Sequence, residues 1–251
     1  MGLLGVLVFS LTLPATRRAV QELAPGVVGL GRTVPAAFLA LGTIAAYRRL
    51  PGRRQLPDLA VCAAGVVFGF PLLSAMAMRT VDASHGAVVL ALLPLLTAAA
   101  GAILVGERPS PRFWLWAVLG STSVLAFSLL RSRGAIAAGD LYLLAASMLA
   151  AVGYAAGARL ARDAPGLLVI AWALALSLPV LLGIGVWLWP TVDWRASRTA
   201  WLCFAYVAVM SQFVGFFFWY RGLALGGIAR VGQVQLLQVF FTLAASAAFL
   251  G

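Results

Sequence analysis

The feature that most restricts this chain is its division into nine continuously apolar blocks, each about as long as a bilayer is thick. Charged and Pro/Gly-rich punctuation sets the blocks at 3–20, 25–47, 57–78, 84–106, 111–130, 139–159, 166–189, 199–221 and 228–250. A helix of ~20 residues rising ~1.5 Å per residue crosses ~30 Å of hydrocarbon, and every block is near that length. Barrel strands would alternate in polarity over ~10 residues, whereas these blocks are uniformly apolar and rich in Ala and Leu. Connectors such as Arg48-Arg49-Leu50-Pro51-Gly52-Arg53-Arg54 and Gly106-Glu107-Arg108-Pro109-Ser110-Pro111 supply the helix stops.

Composition agrees. Of 251 residues, 63% are hydrophobic and 10% charged, against ~45–50% apolar and ~25% charged in soluble domains. The chain therefore reads as an integral membrane protein whose standing partner is the lipid bilayer, with no room for a soluble domain. The net charge of +11 does not indicate nucleic acid as a partner. All the basic residues are Arg, placed singly or in pairs at the ends of apolar runs, as membrane anchors are; a nucleic-acid groove needs a contiguous basic face. Cys62 and Cys203 lie within apolar runs and read as core residues, not as a disulfide or a metal site. Met1 to Pro14 lacks a basic n-region, so no cleavable signal peptide is expected.

An internal repeat is visible. Ala24-Pro25-Gly26 recurs as Ala164-Pro165-Gly166, at an offset of 140 residues. The fourth block aligns with the ninth at an offset of 145, pairing Val89 with Val234, Thr97 with Thr242, Ala102 with Ala247 and Gly106 with Gly251. A five-helix unit has an odd number of crossings, so its second copy enters the membrane upside down, an arrangement found in many secondary transporters.

At this point the chain resembles the EamA family of the drug/metabolite transporter superfamily. The resemblance rests on Ser10-Leu11-Thr12-Leu13-Pro14-Ala15-Thr16-Arg17, Gly29-Leu30-Gly31-Arg32, Gly106-Glu107-Arg108-Pro109 and Gln235-Leu236-Leu237-Gln238. It implies an all-α transmembrane bundle of two inverted five-helix repeats, here 1–133 and 134–251. The second is expected to be incomplete, because the family's tenth helix is absent. The resemblance further implies a permease in a bacterial inner membrane that moves a small-molecule substrate, with its N-terminus in the cytoplasm. More Arg lies in the connectors holding Arg48, Arg53 and Arg159 than in the alternate ones, which favours the same orientation, although Arg17 and Arg18 pull the other way.

Catalytic chemistry has little to use. The one histidine, His85, sits beside Asp82 and Ser84, a run best read as a polar helix entrance with Asp82 or Ser84 as N-cap. The seven acidic residues lie at block ends, and none has metal-ligand spacing. No cofactor is expected. An intramembrane enzyme and a non-transporting scaffold or fragment stand as the alternatives to a carrier. The missing mid-membrane carboxylate also argues against a cation/proton exchanger of the buried-acid type.

Arg32 is the most informative residue, because an isolated cation within a span costs at least ~2.5 kcal/mol unless it snorkels or finds partners. It reads either as a structural anchor or as a cation facing an anionic or zwitterionic substrate. Its counterpart at the 140-residue offset is Trp172, expected at the same central interface. Gln235, Gln238 and Thr242 share one helical face and read equally as interhelix links or as a cavity lining. Their fourth-block partners are Leu90, Leu93 and Thr97. Tyr154, Ser211 and Gln212 add further polar groups. Trp187, Trp189, Trp219 and Tyr220 read as an interfacial belt. Three Gly-xxx-Gly pairs, starting at Gly65, Gly153 and Gly222, read as close helix contacts.

Overall fold

The computed structural model describes residues 1–131 and 137–250. The repeat boundary expected at 133/134 and the Gly251 end of the repeat alignment lie outside them. Nine helices of spanning length occur among the described residues. They are α1 (Gly2–Val20), α2 (Val27–Tyr47), α3 (Arg53–Ala77), α4 (Ala83–Val105), α5 (Pro111–Arg131), α6 (Ala138–Leu160), α7 (Gly166–Thr191), α8 (Arg198–Gly226) and α9 (Ile228–Ala248). The ends follow local chemistry. Arg48 adopts a left-handed conformation after α2, Gly106 does so after α4 with φ 73°, and Gly227, with φ 81°, allows the sharp turn between α8 and α9.

Side-chain links sort the connectors onto two faces. On one, Arg17 pairs with Asp82, His85 with Asp140, and Glu22 accepts the N–H of Ser197. On the other, Arg159 pairs with Asp58, Arg49 donates to the Asp163 carbonyl, and Glu107 accepts from Ile228. Gly2 packs on Gly222, whose Cβ would lie 2.7 Å from the Gly2 nitrogen, so α1 starts at the end of the bundle where α8 finishes. α6 starts at the opposite end, with Asp140 on His85. The second unit is thus inverted relative to the first.

Packing obeys the same exchange. α6 lies against α3 and α4, as α1 lies against α8 and α9, while α2 and α7 pair with each other. Helical irregularities repeat too. A π-helical stretch in α3, Ala63–Gly69, has a counterpart in α8, Val207–Val214. A 3₁₀ turn in α4, Leu90–Leu92, has one in α9, Gln233–Gln235. Such breaks survive in a membrane only where the freed backbone groups face protein or a cavity.

In lipid, helices associate by close packing and polar links, not by the hydrophobic effect. The glycine pairs serve this. A Cβ on Gly65 would lie 2.9 Å from the Gly153 Cα, and one on Gly157 would enter the Tyr220 ring. Ile103, Leu225 and Phe240 point outward, where lipid belongs. Trp187 and Trp189 are likewise exposed, as an interfacial belt requires, but Trp219 and Tyr220 are not: both are fully buried. Trp219 meets Phe9 and Tyr154 edge-on, and Tyr220 reaches Cys62 Sγ at 3.1 Å. The glycines opposite them leave room for rings that sequence position assigned to the membrane surface.

Candidate functional site

The irregular stretches converge on an enclosed central cavity. α1 contributes Phe9, Thr12 and Leu13; α2 contributes Arg32; α3, Phe70; and α4, Leu90 and Leu93. From the second unit come Tyr154 of α6, Ser211, Gln212 and Phe216 of α8, and Gln238 of α9. The free space at its centre is about 10 Å³, roughly that of one water molecule. A small neighbouring cavity shares Leu90 and Gln238 and adds Ala87, Gln235, Val239 and Thr242. A larger apolar groove of about 530 Å³ lies outside, between α2, α7 and the start of α8, lined by Trp189, Trp194 and Trp201.

Arg32 follows the π-helical turn Val27–Gly31 that opens α2. It is 1% exposed, and neither Nε nor Nη1 has a hydrogen-bond partner in the protein. Among the described residues it joins no ion pair, and the carboxylates that do form them sit at helix ends. Snorkelling is excluded by this burial. A cation so placed costs several kcal/mol, and the cavity wall offers it only neutral neighbours.

The other polar groups have mostly found partners. Thr12 Oγ1 and Ser211 Oγ are 2.9 Å apart, linking α1 to α8. Gln212 Nε2 donates to the Val66 carbonyl at 2.8 Å, so the π-helical stretches of α3 and α8 are tied to each other. Thr242 Oγ1 donates to the Ser10 carbonyl at 2.8 Å. Proline at position 14 lacks the N–H that would take that carbonyl, so Thr242 is an interhelix link. Gln238 reaches the Phe9 carbonyl only at 3.4 Å and also faces the cavity. Gln235 is buried with neither amide atom paired. The Tyr154 ring contacts Phe216 and Trp219 edge-on, at centroid distances of 5.9 and 5.6 Å, and its hydroxyl lies near Gln235 and Arg32.

Of the residues expected from sequence, the structure brings Arg32, Tyr154, Gln212 and Gln238 together around one cavity and sets Gln235 and Thr242 beside it. Trp172 stands apart. Its indole N–H donates to the Arg49 carbonyl at 2.8 Å, at the far end of α2. The inversion is the reason: α2 and α7 run antiparallel, so residues near their two N-termini lie at opposite ends of the pair. Leu90 and Leu93, the fourth-block counterparts of Gln235 and Gln238, also line the cavity. Phe9, Leu13, Phe70 and Phe216 carried no signal, being apolar residues in apolar blocks.

Polar contacts close both ends. Glu107 accepts from the Ile228 and Ala229 N–H groups at 2.7 and 2.8 Å, binding the first unit's α4–α5 connector to the start of α9. Asp82 occupies the N-cap position of α4 without capping through its side chain; its carboxylate pairs with Arg17 instead. Glu22 accepts from the Ser197 backbone N–H, the Ser197 hydroxyl and Arg18. These contacts, the Ser197 backbone bond foremost, hold its carboxyl below the ordinary carboxylate range.

Two inverted helical units enclosing a cavity lined by both define the architecture of a secondary carrier. The chain belongs to the EamA-like transporter family, whose sequence pattern matches residues 1–129 and 137–251. It is 46% identical over 244 residues, 96% of this chain and 85% of the relative, to the "Uncharacterized transporter YdeK" of Bacillus subtilis (strain 168). A protein crystal structure superposes with a TM-score of 0.72 at 19% identity, covering 99% of this chain and 87% of its own; that likeness concerns the fold. The protein is accordingly a multi-pass membrane transporter.

Proposed function

We propose that the protein exports a small polar metabolite, such as an amino acid or a related compound, by alternating access across a bacterial inner membrane. The central cavity is the substrate site, and the N-terminus faces the cytoplasm. The observation that carries this reading is Arg32, buried in the cavity wall without a protein partner. A fold retains such a cost where the group has a ligand to meet. Tyr154, Gln212, Gln235 and Gln238 would orient the substrate beside it, with Thr242 setting the distance between α9 and α1. Trp172 would act at the cytoplasmic end, steadying the α2–α7 pair. The two bundles that the packing groups, α3 and α4 with α6 and α1 with α8 and α9, are the bodies that rock, and the ion pairs and carboxylate caps at the two ends open alternately.

The test is transport by the purified chain in proteoliposomes, with mixed radiolabelled amino and organic acids inside and outside, against Arg32→Ala. Movement by the native protein that is lost in a folded variant supports the reading. Equal movement in both overturns it.

A further inference from the structure

We infer that the substrate is an organic monoanion, a monocarboxylate related to an amino acid but without its ammonium group, and that its export is driven by the membrane potential; this rests on the reading of the central cavity as a transport site. Arg32 contributes a buried positive charge whose Nε and Nη1 have no partner in the protein, so an anionic group of the substrate can accept a charge-assisted hydrogen bond there. The other side chains of the wall are apolar or neutral, and no carboxylate stands among them. A monoanion makes the loaded site neutral. A zwitterion leaves an ammonium with no acidic partner beside a guanidinium, and an amine adds a second positive charge.

The rest of the wall is mostly apolar, so the part of the substrate away from Arg32 meets apolar side chains when the cavity opens. Leu13, Phe70, Leu90, Leu93 and Phe216 surround the few polar groups, and most of those are already engaged with each other or with backbone carbonyls. The same census bears on energy coupling. Arg32 and Tyr154 are the ionisable side chains lining the cavity, and neither is an acid that exchanges a proton for substrate near neutral pH. A single negative charge leaving a cell with a negative interior moves down the potential. Each ~59 mV then sustains about a tenfold gradient of a monovalent ion, so the substrate's own charge supplies the driving force.

The experiment compares three compounds with one apolar body: phenylacetate, phenylalanine and phenethylamine. Each is offered to proteoliposomes of the native protein under potassium–valinomycin potentials of either sign, and uptake by protein-free vesicles, which the neutral acid and amine enter unaided, is subtracted. Phenylacetate is expected to enter, with about tenfold greater accumulation for each ~59 mV of inside-positive potential and no dependence on a pH gradient. Arg32→Lys, which keeps the charge but loses the guanidinium donors, should retain part of this transport, and Arg32→Gln should lose it while eluting as a folded monodisperse protein. Phenylalanine or phenethylamine entering faster than phenylacetate, or uptake that follows a pH gradient and ignores the potential, overturns the inference and leaves the carrier reading standing. Movement of none of the three while the mixed amino and organic acids do move overturns the inference alone, and movement of no compound removes both.

Discussion

Thr242 donates its hydroxyl to the carbonyl of Ser10, the group that Pro14 leaves without a partner in its own helix. Two residues 232 positions apart thereby repair a break made within one turn of α1. Replacing Thr242 by Val should lower thermal stability in detergent by about 1 kcal/mol, the usual size of a membrane hydrogen bond. In a Pro14→Ala background the helix regains its own N–H donor, and the same replacement should cost almost nothing. A double-mutant cycle by thermal unfolding checks this; equal costs in the two backgrounds contradict the account.

Arg32→Met should raise stability while ending transport. The side chain has no protein partner to lose at Nε or Nη1, so an apolar replacement removes a desolvation cost of a few kcal/mol. Stability gained and activity lost at one position is the signature of a group kept for function. A melting temperature lower than the native one would show that Arg32 anchors the bundle instead.

Gln235 and Gln238 should separate when changed singly. Gln235 has neither amide atom paired, so Gln235→Leu is expected to leave stability unchanged or higher and to alter transport. Gln238 holds the Phe9 carbonyl weakly at 3.4 Å, so Gln238→Leu should cost no more than ~1 kcal/mol and also alter transport. Parallel melting curves and uptake rates on the two variants decide it. Identical losses of stability would assign both to helix linkage.

Glu107→Gln should destabilise the join between the two units. The carboxylate takes two backbone N–H groups at the start of α9, where a negative charge is also favoured by the helix dipole; the expected loss is about 1–2 kcal/mol. Arg162→Ala should do little, because its nitrogen is 3.9 Å from Glu107 on a half-exposed side chain. If the two variants melt alike, the ion pair and not the cap holds the connector.

The contact between Glu22 and Ser197 should weaken in acid. The folded carboxyl titrates below its ordinary 4.5, so the folded state binds the proton less readily than the unfolded one. The contribution is therefore complete above about pH 4.5 and is lost as pH falls through the lower folded value. The stability difference between native protein and Glu22→Gln should be flat above that pH and shrink below it. A difference that stays constant into stronger acid contradicts this assignment.

Spanning was legible in the sequence because it is a property of composition over about twenty residues, which the bilayer enforces wherever the chain folds. The nine blocks, the Arg residues and acids at their ends, the repeat, and Arg32 as a lone cation within a span all follow from position along the chain; that it is buried and does not snorkel came from the structure. What the tertiary structure decided is which polar group meets which. Uniformly apolar blocks leave the rotation of a helix about its axis almost unspecified, and a bonding partner depends on rotation and depth together. Gln235 and Thr242 lie on one face of α9, yet Thr242 finds the Ser10 carbonyl while Gln235 lies near the Tyr154 hydroxyl with neither amide atom hydrogen-bonded. Trp219 and Tyr220 sit near the end of a block, yet close glycine contacts draw them into the core. Trp172 matches Arg32 in the repeat but lies at the other end of the α2–α7 pair, because an inverted copy exchanges the two ends of the membrane.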